Sequence, residues 1–315
     1  MKIERRSFLK GLASAPLLAA CGETTTTNVP PPAAPTQIKI AAHSWGTSQL
    51  IAKIAELLLR EQLGVPAATQ IVAEGEIWDP LARGDVHACL EVWPLRNGDG
   101  VRAYVDAGRV VTAGTIGSGR TAWFVPSYVA DEIPEIMTAV VASDLGPLLA
   151  RARVAELVVG PGDWLTPTPP RMSALGVGAL PIQRAGSEKA LLDRVRQGTT
   201  DRATFMVSLW YPHPIHALYG LRAVGLPAAA GCSIDDAAFG CDYPAEPILK
   251  VIWPGLAFTN PDVKAFFDVF APPLDDMVSL LASSADAPEV LARDWIKSRT
   301  IVWTSWINAA RSAKK

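Results

Sequence analysis

The sequence predicts an α/β fold built on a parallel sheet. Two observations lead there. From Gln37 to Val92, short apolar runs alternate with segments of helical period in the order strand, helix, strand, helix, strand. Further apolar runs recur at Ala122 to Val125, Ala155 to Val159, Thr204 to Leu209 and Ile248 to Trp253, each bounded by Gly, Pro or a turn cluster.

The elements follow in order. The first strand, Gln37 to Ala42, breaks at His43-Ser44-Trp45-Gly46. Leu50, Ile51, Ile54, Leu57, Leu58 and Leu63 then recur at helical spacing, with Thr47 or Ser48 placed to cap the helix and Gly64 to stop it. A second strand lies near Thr69 to Ala73. Ile77-Trp78-Asp79-Pro80 leads a short helix ending at Arg83-Gly84-Asp85, and Val86 to Val92 reads as a buried strand running into Trp93-Pro94. Ala122 to Val125 is a short strand broken by Pro126. Ala155 to Val159 leads into Gly160-Pro161-Gly162-Asp163-Trp164. A helix from Ser187, its cap, to Gln197 closes at Gly198, and Thr204 to Leu209 is a strand ending at Trp210. After a strand at Ile248 to Trp253 the remainder keeps helical spacing, and there Trp295, Trp303 and Trp306 read as packing residues.

Ten tryptophans stand in 315 residues, against five tyrosines and eight phenylalanines. Four of them, Trp45, Trp93, Trp164 and Trp210, fall where a strand breaks into a turn. In open α/β sheets ligands lie beyond the carboxyl ends of the strands. Indole has the most favourable ring face for a cation. Several converging on one cleft would hold a cation that has no N–H to offer, which describes a quaternary ammonium ion. A carboxylate on the same ligand could be held by free N–H groups at the helix start near Gly46.

The N-terminus predicts export. Arg5-Arg6 precedes an apolar stretch, Gly11 to Ala20, too short to span a bilayer. The arginine pair points to the twin-arginine route. Leu18-Ala19-Ala20-Cys21 reads as a lipoprotein cleavage box with Cys21 as the lipidated residue, so residues 1–20 are a signal peptide. Residues 21–36 form a Pro/Thr tether that holds the domain near a membrane. The expected location is that of an exported, periplasmic or cell-surface lipoprotein.

The whole chain carries −2, and the leader contributes +3 (Lys2, Arg5, Arg6 and Lys10 against Glu4), which leaves −5 for the rest. With no basic run after the leader, a nucleic-acid partner is not expected. Cys232 and Cys241 flank a short loop of an exported chain and are placed for a disulfide, whereas Cys89 sits in an apolar run as a buried thiol. Four histidines without Cys-x-x-Cys or His-Glu-x-x-His spacing point to no metal site, and no cofactor is expected.

From Ala41 to Tyr128 the chain resembles the substrate-binding proteins of glycine betaine/choline ABC importers. The matching landmarks are Ala82-Arg83-Gly84-Asp85, Glu91-Val92-Trp93-Pro94 and Phe124-Val125-Pro126-Ser127-Tyr128, together with Leu209-Trp210-Tyr211-Pro212-His213 and the ending from Asp294-Trp295 through Trp306-Ile307. The resemblance implies a two-lobed type II periplasmic binding protein fold, hinged around a central cleft. Lobe 1 is then expected at 37–120 plus 245–315, and lobe 2 at 121–244. By matched motif, Trp93 and Trp210 are box walls, Trp45 a wall of one branch of the family and Trp164 of the other. His213 occupies a motif position beside them. The partners implied are a small quaternary amine and an ABC permease in the cytoplasmic membrane. Alternatives are a different small solute on the same fold (an amino-acid derivative, a sulfonate or an aromatic compound), or a hydrolase of choline esters. Against the hydrolase, Ser208, His213 and His216 have no Gly-x-Ser-x-Gly elbow around a serine.

Overall fold

A computed structural model describes residues 33–138, 142–165, 168–227 and 240–314. The signal peptide, Cys21, the tether through residue 32 and Cys232 lie outside the described residues. Cys241 is disulfide-bonded.

Strand β1 (Ile38–Ala42) pairs in parallel with β2 (Ala67–Ile71), from Ile38 against Ala67 to Ala42 against Ile71. On its other edge it pairs in parallel with β3 (Ala88–Val92). Helix α1 (Gly46–Gln62) makes the first crossover because its apolar face, including Leu50, Ile54, Leu57 and Leu58, is fully buried. Helix α2 (Trp78–Arg83) leads to β3, and Gly84 ends it at φ 78°, a left-handed conformation that suits glycine. Thr47 and Ser48 do not cap α1. Ser48 Oγ instead accepts from the His43 amide at 2.9 Å, and Thr47 Oγ1 points to Glu91.

A second parallel group lies at the opposite end of the sheet. There β5 (Leu157–Val159) pairs with β6 (Ile182–Arg184) and with β7 (Met206–Tyr211). Helix α3 (Glu188–Thr200) joins β6 to β7, and its Ser187 cap accepts from the Ala190 amide at 3.1 Å. Strand β7 extends to Tyr211, so Trp210 lies inside it.

Between the two parallel groups run β4 (Val111–Pro126) and β9 (Glu246–Ile252), which give the order β2-β1-β3-β9-β4-β7-β5-β6. β9 is antiparallel to both β3 and β4, and β4 is antiparallel to β7 and to the short β8 (Leu221–Ala223). The sheet is therefore mixed rather than parallel throughout, because antiparallel neighbours need no helical crossover. β4 also begins well before the predicted Ala122. Its first half, Val111 to Arg120, is rich in Gly, Ser and Thr and carries no apolar run. Pairing with β9 makes it a strand, with register shifts near Thr115 and Gly117.

The chain closes with α4 (Pro261–Val269), α5 (Leu274–Ser283), α6 (Pro288–Ser298) and α7 (Thr300–Ala313). α6 packs on α1, and α7 on α4. Trp295 and Trp306 are buried and stacked at 6.1 Å, whereas Trp303 is half-buried and donates to the Ile296 carbonyl at 2.8 Å.

Candidate ligand-binding site

The four strand-end tryptophans meet in one place. Trp45, at the start of α1, lies 5.8 Å from Trp164 and 5.6 Å from Trp210, ring centre to ring centre. Trp210 lies 6.0 Å from Trp93 and 5.1 Å from Trp164. All contacts are tilted or edge-on, so the indoles form walls rather than a stack, and all four are 3% exposed or less. Two glycines admit them. A Cβ on Gly160 would stand 2.0 Å from the Trp164 ring, and one on Gly119 would stand 2.3 Å from the Trp93 ring.

Three of the four indole N–H groups are held from behind. Trp45 Nε1 donates to Glu91 Oε1 at 2.7 Å, Trp93 Nε1 to the same oxygen at 3.1 Å, and Thr47 Oγ1 to it at 3.2 Å. Trp164 Nε1 donates to Ser44 Oγ at 2.8 Å. Glu91 is buried, and burial raises its carboxyl to about 6, partly offset by these hydrogen bonds. When ionised it places negative charge at the edges of two indoles, which strengthens their attraction for a cation. Burial also lifts Glu246, the first residue of β9, to about 7; its Oε2 accepts from the Leu95 amide at 2.7 Å.

The space among the indoles holds Arg96. Its guanidinium carbon lies 5.4 Å from the Trp45 ring centre, 5.0 Å from Trp93 and 5.2 Å from Trp210, within cation–π range of all three. Its Nε is 3.2 Å from Glu74 Oε1, and both side chains are almost wholly buried. Glu74 also accepts from Asn97 Nδ2 at 3.0 Å and from the Leu165 amide at 2.7 Å. Arg96 Nε and Nη2 make no hydrogen bond among the described residues.

His213 stands edge-on to Trp210 at 5.0 Å and is buried. Its Nδ1 accepts from the Ile215 amide at 3.2 Å, so in the neutral ring the proton is on Nε2, which faces Glu188 Oε1 at 3.3 Å. The other Glu188 oxygen accepts from the Gly46 amide at 2.8 Å. The N–H at the start of α1 is thus engaged by a carboxylate of the chain itself. His216, stacked on Tyr211 at 4.0 Å, is pulled down to about 4 by burial and lies 3.0 Å from the Trp210 carbonyl. Cys89, beside His43 Nε2 at 3.5 Å, is a free buried thiol pushed up to about 12. A thiol held protonated in this way is a poor nucleophile.

Residues 36–298 match the family described as the substrate binding domain of ABC-type glycine betaine transport systems. The chain belongs to this family. It is therefore an extracytoplasmic substrate-binding component of an ABC importer, a receptor rather than an enzyme. Solved structures share its fold, that of two-lobed type II periplasmic binding proteins. A lactococcal OpuAC in a closed conformation with glycine betaine is 16% identical, with a TM-score of 0.65 over 87% of this chain and 100% of that one. A glycine betaine/L-proline-binding protein (ProX) from Borrelia burgdorferi is 16% identical, with a TM-score of 0.68 over 87% and 99%. A choline-binding protein in complex with choline is 14% identical, with a TM-score of 0.68 over 88% and 98%. Among the described residues no helix is long and apolar enough to cross a membrane, and no cluster of His, Cys, Asp or Glu could hold a metal ion.

Four residues of the candidate site escaped the sequence reading: Glu74, Glu91, Arg96 and Glu188. Glu91 left a trace, as a charged residue in the middle of a strand that is otherwise buried and apolar. Arg96 follows Trp93 by three residues, a spacing that lets a turn fold an arginine back over the preceding indole. Glu74 carries no such mark.

Proposed function

We propose that this receptor binds a quaternary ammonium compound (glycine betaine, choline or a close relative) in the box formed by Trp45, Trp93, Trp164 and Trp210. The observation that carries this reading is that three of these indoles already hold a cation, the Arg96 guanidinium, at 5.0–5.4 Å. The buried carboxylates Glu74 and Glu91 make the surroundings favourable to positive charge. The glycine betaine and choline complexes of proteins sharing the fold agree with it. Gly46 and His213, on either side of Glu188, are the groups suited to a ligand carboxylate.

In this reading residues 37–120 with 245–315 form one lobe and 121–244 the other, closing on ligand before docking on the permease. Lipid on Cys21 tethers the receptor to the membrane, and a Cys232–Cys241 disulfide ties the loop before β9. Arg96 Nε and Nη2, buried without a hydrogen bond, favour a second reading, an anionic solute such as a sulfonate.

A thermal-shift panel tests the choice. A ligand that binds only the folded state raises the melting temperature through RT ln(1 + [L]/Kd). Glycine betaine, choline, carnitine or tetramethylammonium should raise it in a saturable way, with quenching or a shift of tryptophan fluorescence. Sulfonates alone doing so would replace the amine reading with the anionic one.

A further inference from the structure

Arg96 is an expensive occupant of the box. A guanidinium carries five N–H donors. Here Nε and Nη2 are buried without a hydrogen-bond acceptor, and Nε has only the electrostatic company of Glu74 at 3.2 Å. Three indole faces offset part of that deficit but accept no strong hydrogen bond. A quaternary ammonium ion has no N–H to leave unsatisfied, so the same box suits it better than it suits arginine.

The surroundings also tolerate the departure of Arg96. Glu74 keeps donors on both oxygens, Asn97 Nδ2 on Oε1 and the Leu165 amide on Oε2. Glu91 keeps its three donors, none of which comes from Arg96. Arg96 itself sits in the turn between β3 and the helical stretch after Asn97, so its side chain can swing out without breaking a strand.

We propose that Arg96 is a resident cation that fills the tryptophan box in the empty receptor, and that ligand binds by displacing its guanidinium. This rests on the quaternary-amine reading above and adds to it a selection rule. A ligand must out-compete an arginine already in place, so fully alkylated cations are admitted. Primary ammonium ions, which are strongly hydrated and need acceptors the box lacks, are turned away.

The test compares wild-type protein with Arg96→Gln, whose side chain is too short to reach the box and uncharged, using tetramethylammonium and glycine betaine as probes. If Arg96 occupies the box in 90–99% of empty molecules, removing it should lower the apparent Kd by about 10- to 100-fold, since apparent affinity scales with the competent fraction. In Arg96→Ala, added methylguanidinium should re-enter the box and compete with tetramethylammonium, which it should not do in wild type.

Wild-type binding that is unchanged or weakened in Arg96→Gln would overturn the proposal and leave the amine reading standing; weakening would mark Arg96 as a ligand contact. Failure of both proteins to bind any quaternary amine would overturn the amine reading, and this proposal with it. Should the variants not fold, wild-type NMR decides. The Arg96 side-chain resonances, shifted by three indole ring currents in the empty protein, must move toward solvent-exposed values at saturating tetramethylammonium. Retention of the shift with ligand bound would refute displacement.

Discussion

Replacing Glu91 with glutamine should move stability and, once Arg96 is out of the box, affinity in opposite directions. Burial raises this carboxyl from its ordinary 4.5 to about 6. Because the folded value lies above the unfolded one, its contribution to stability is fully present below pH 4.5 and is lost as pH rises through about 6. At about 1.4 kcal/mol for each pH unit, keeping the group ionised at pH 8 costs the folded state about 2 kcal/mol. Glutamine removes that cost while its oxygen still accepts from Trp45 and Trp93. Its amide nitrogen, standing where Glu91 Oε2 has no hydrogen-bond partner, returns ~1 kcal/mol of the gain. The net gain at pH 8 is therefore about 1 kcal/mol, or ~2 °C in melting temperature for a domain of this size. At pH 4.5 the advantage should vanish. In the Arg96→Gln background, where no resident guanidinium shares the loss, affinity should fall, because a ligand cation in the place Arg96 takes, 5.4 Å from the Trp45 ring whose nitrogen is 2.7 Å from Glu91, feels that charge. At a separation of ~8 Å and an effective dielectric of ~20 the loss is about 1–2 kcal/mol. As pH falls and Glu91 is protonated, the Arg96→Gln protein should itself lose affinity, by up to about tenfold per pH unit, and approach the double variant. Thermal denaturation and isothermal titration with tetramethylammonium between pH 4.5 and 8 measure both effects. A Glu91→Gln variant less stable than wild type at pH 8, or a double variant that binds there as well as Arg96→Gln alone, would refute the reasoning.

Two further outcomes are expected. Trp93→Ala and Trp210→Ala should each weaken amine binding by about 1–3 kcal/mol, combining cation–π loss with lost apolar contact, whereas Trp306→Ala, stacked on Trp295 away from the box, should cost about 3–5 kcal/mol of stability with little change in affinity; titrations and denaturation curves that reverse this pattern would move the site elsewhere. Glu188→Ala frees the Gly46 amide and should improve glycine betaine over choline by about tenfold in relative Kd, the worth of a charge-assisted hydrogen bond; an unchanged ratio would show that the ligand carboxylate is held elsewhere.

Much of the framework was legible because burial on both faces writes strands as apolar runs. β3 and β7 announce themselves in that way, and each carries a tryptophan at or just beyond its end. Strand direction was not legible, since an apolar run such as Ile248–Ile252 reads the same whether its neighbours run with it or against it. The first half of β4 was invisible for a related reason: its Gly, Ser and Thr residues become a strand only once β9 lies beside them. In the site, the indoles could be found from their turns, but the charges around them could not. Arg96 stands in a Pro-Leu-Arg-Asn-Gly sequence that looks like any solvent-facing turn. Its partner Glu74 lies 22 positions away on another loop, and only the packing of β1 between β2 and β3 brings those loops together.

β4 gives the receptor an unusual economy of parts. One continuous ribbon pairs with β9 from Val111 to Gly119 and with β7 from Arg120 to Phe124. At the changeover Gly119 lies against Trp93, and Thr121 faces Trp210 across the ladder. Just upstream, the register slips twice and Gly117 takes a φ of 149°. An irregular stretch of the ladder is thus spliced directly to two walls of the box. Were a bound cation to draw those walls together, the load would fall on the one ribbon that joins the two parallel groups, and occupancy would register there as curvature. A transporter could read that curvature at a distance without ever touching the ligand.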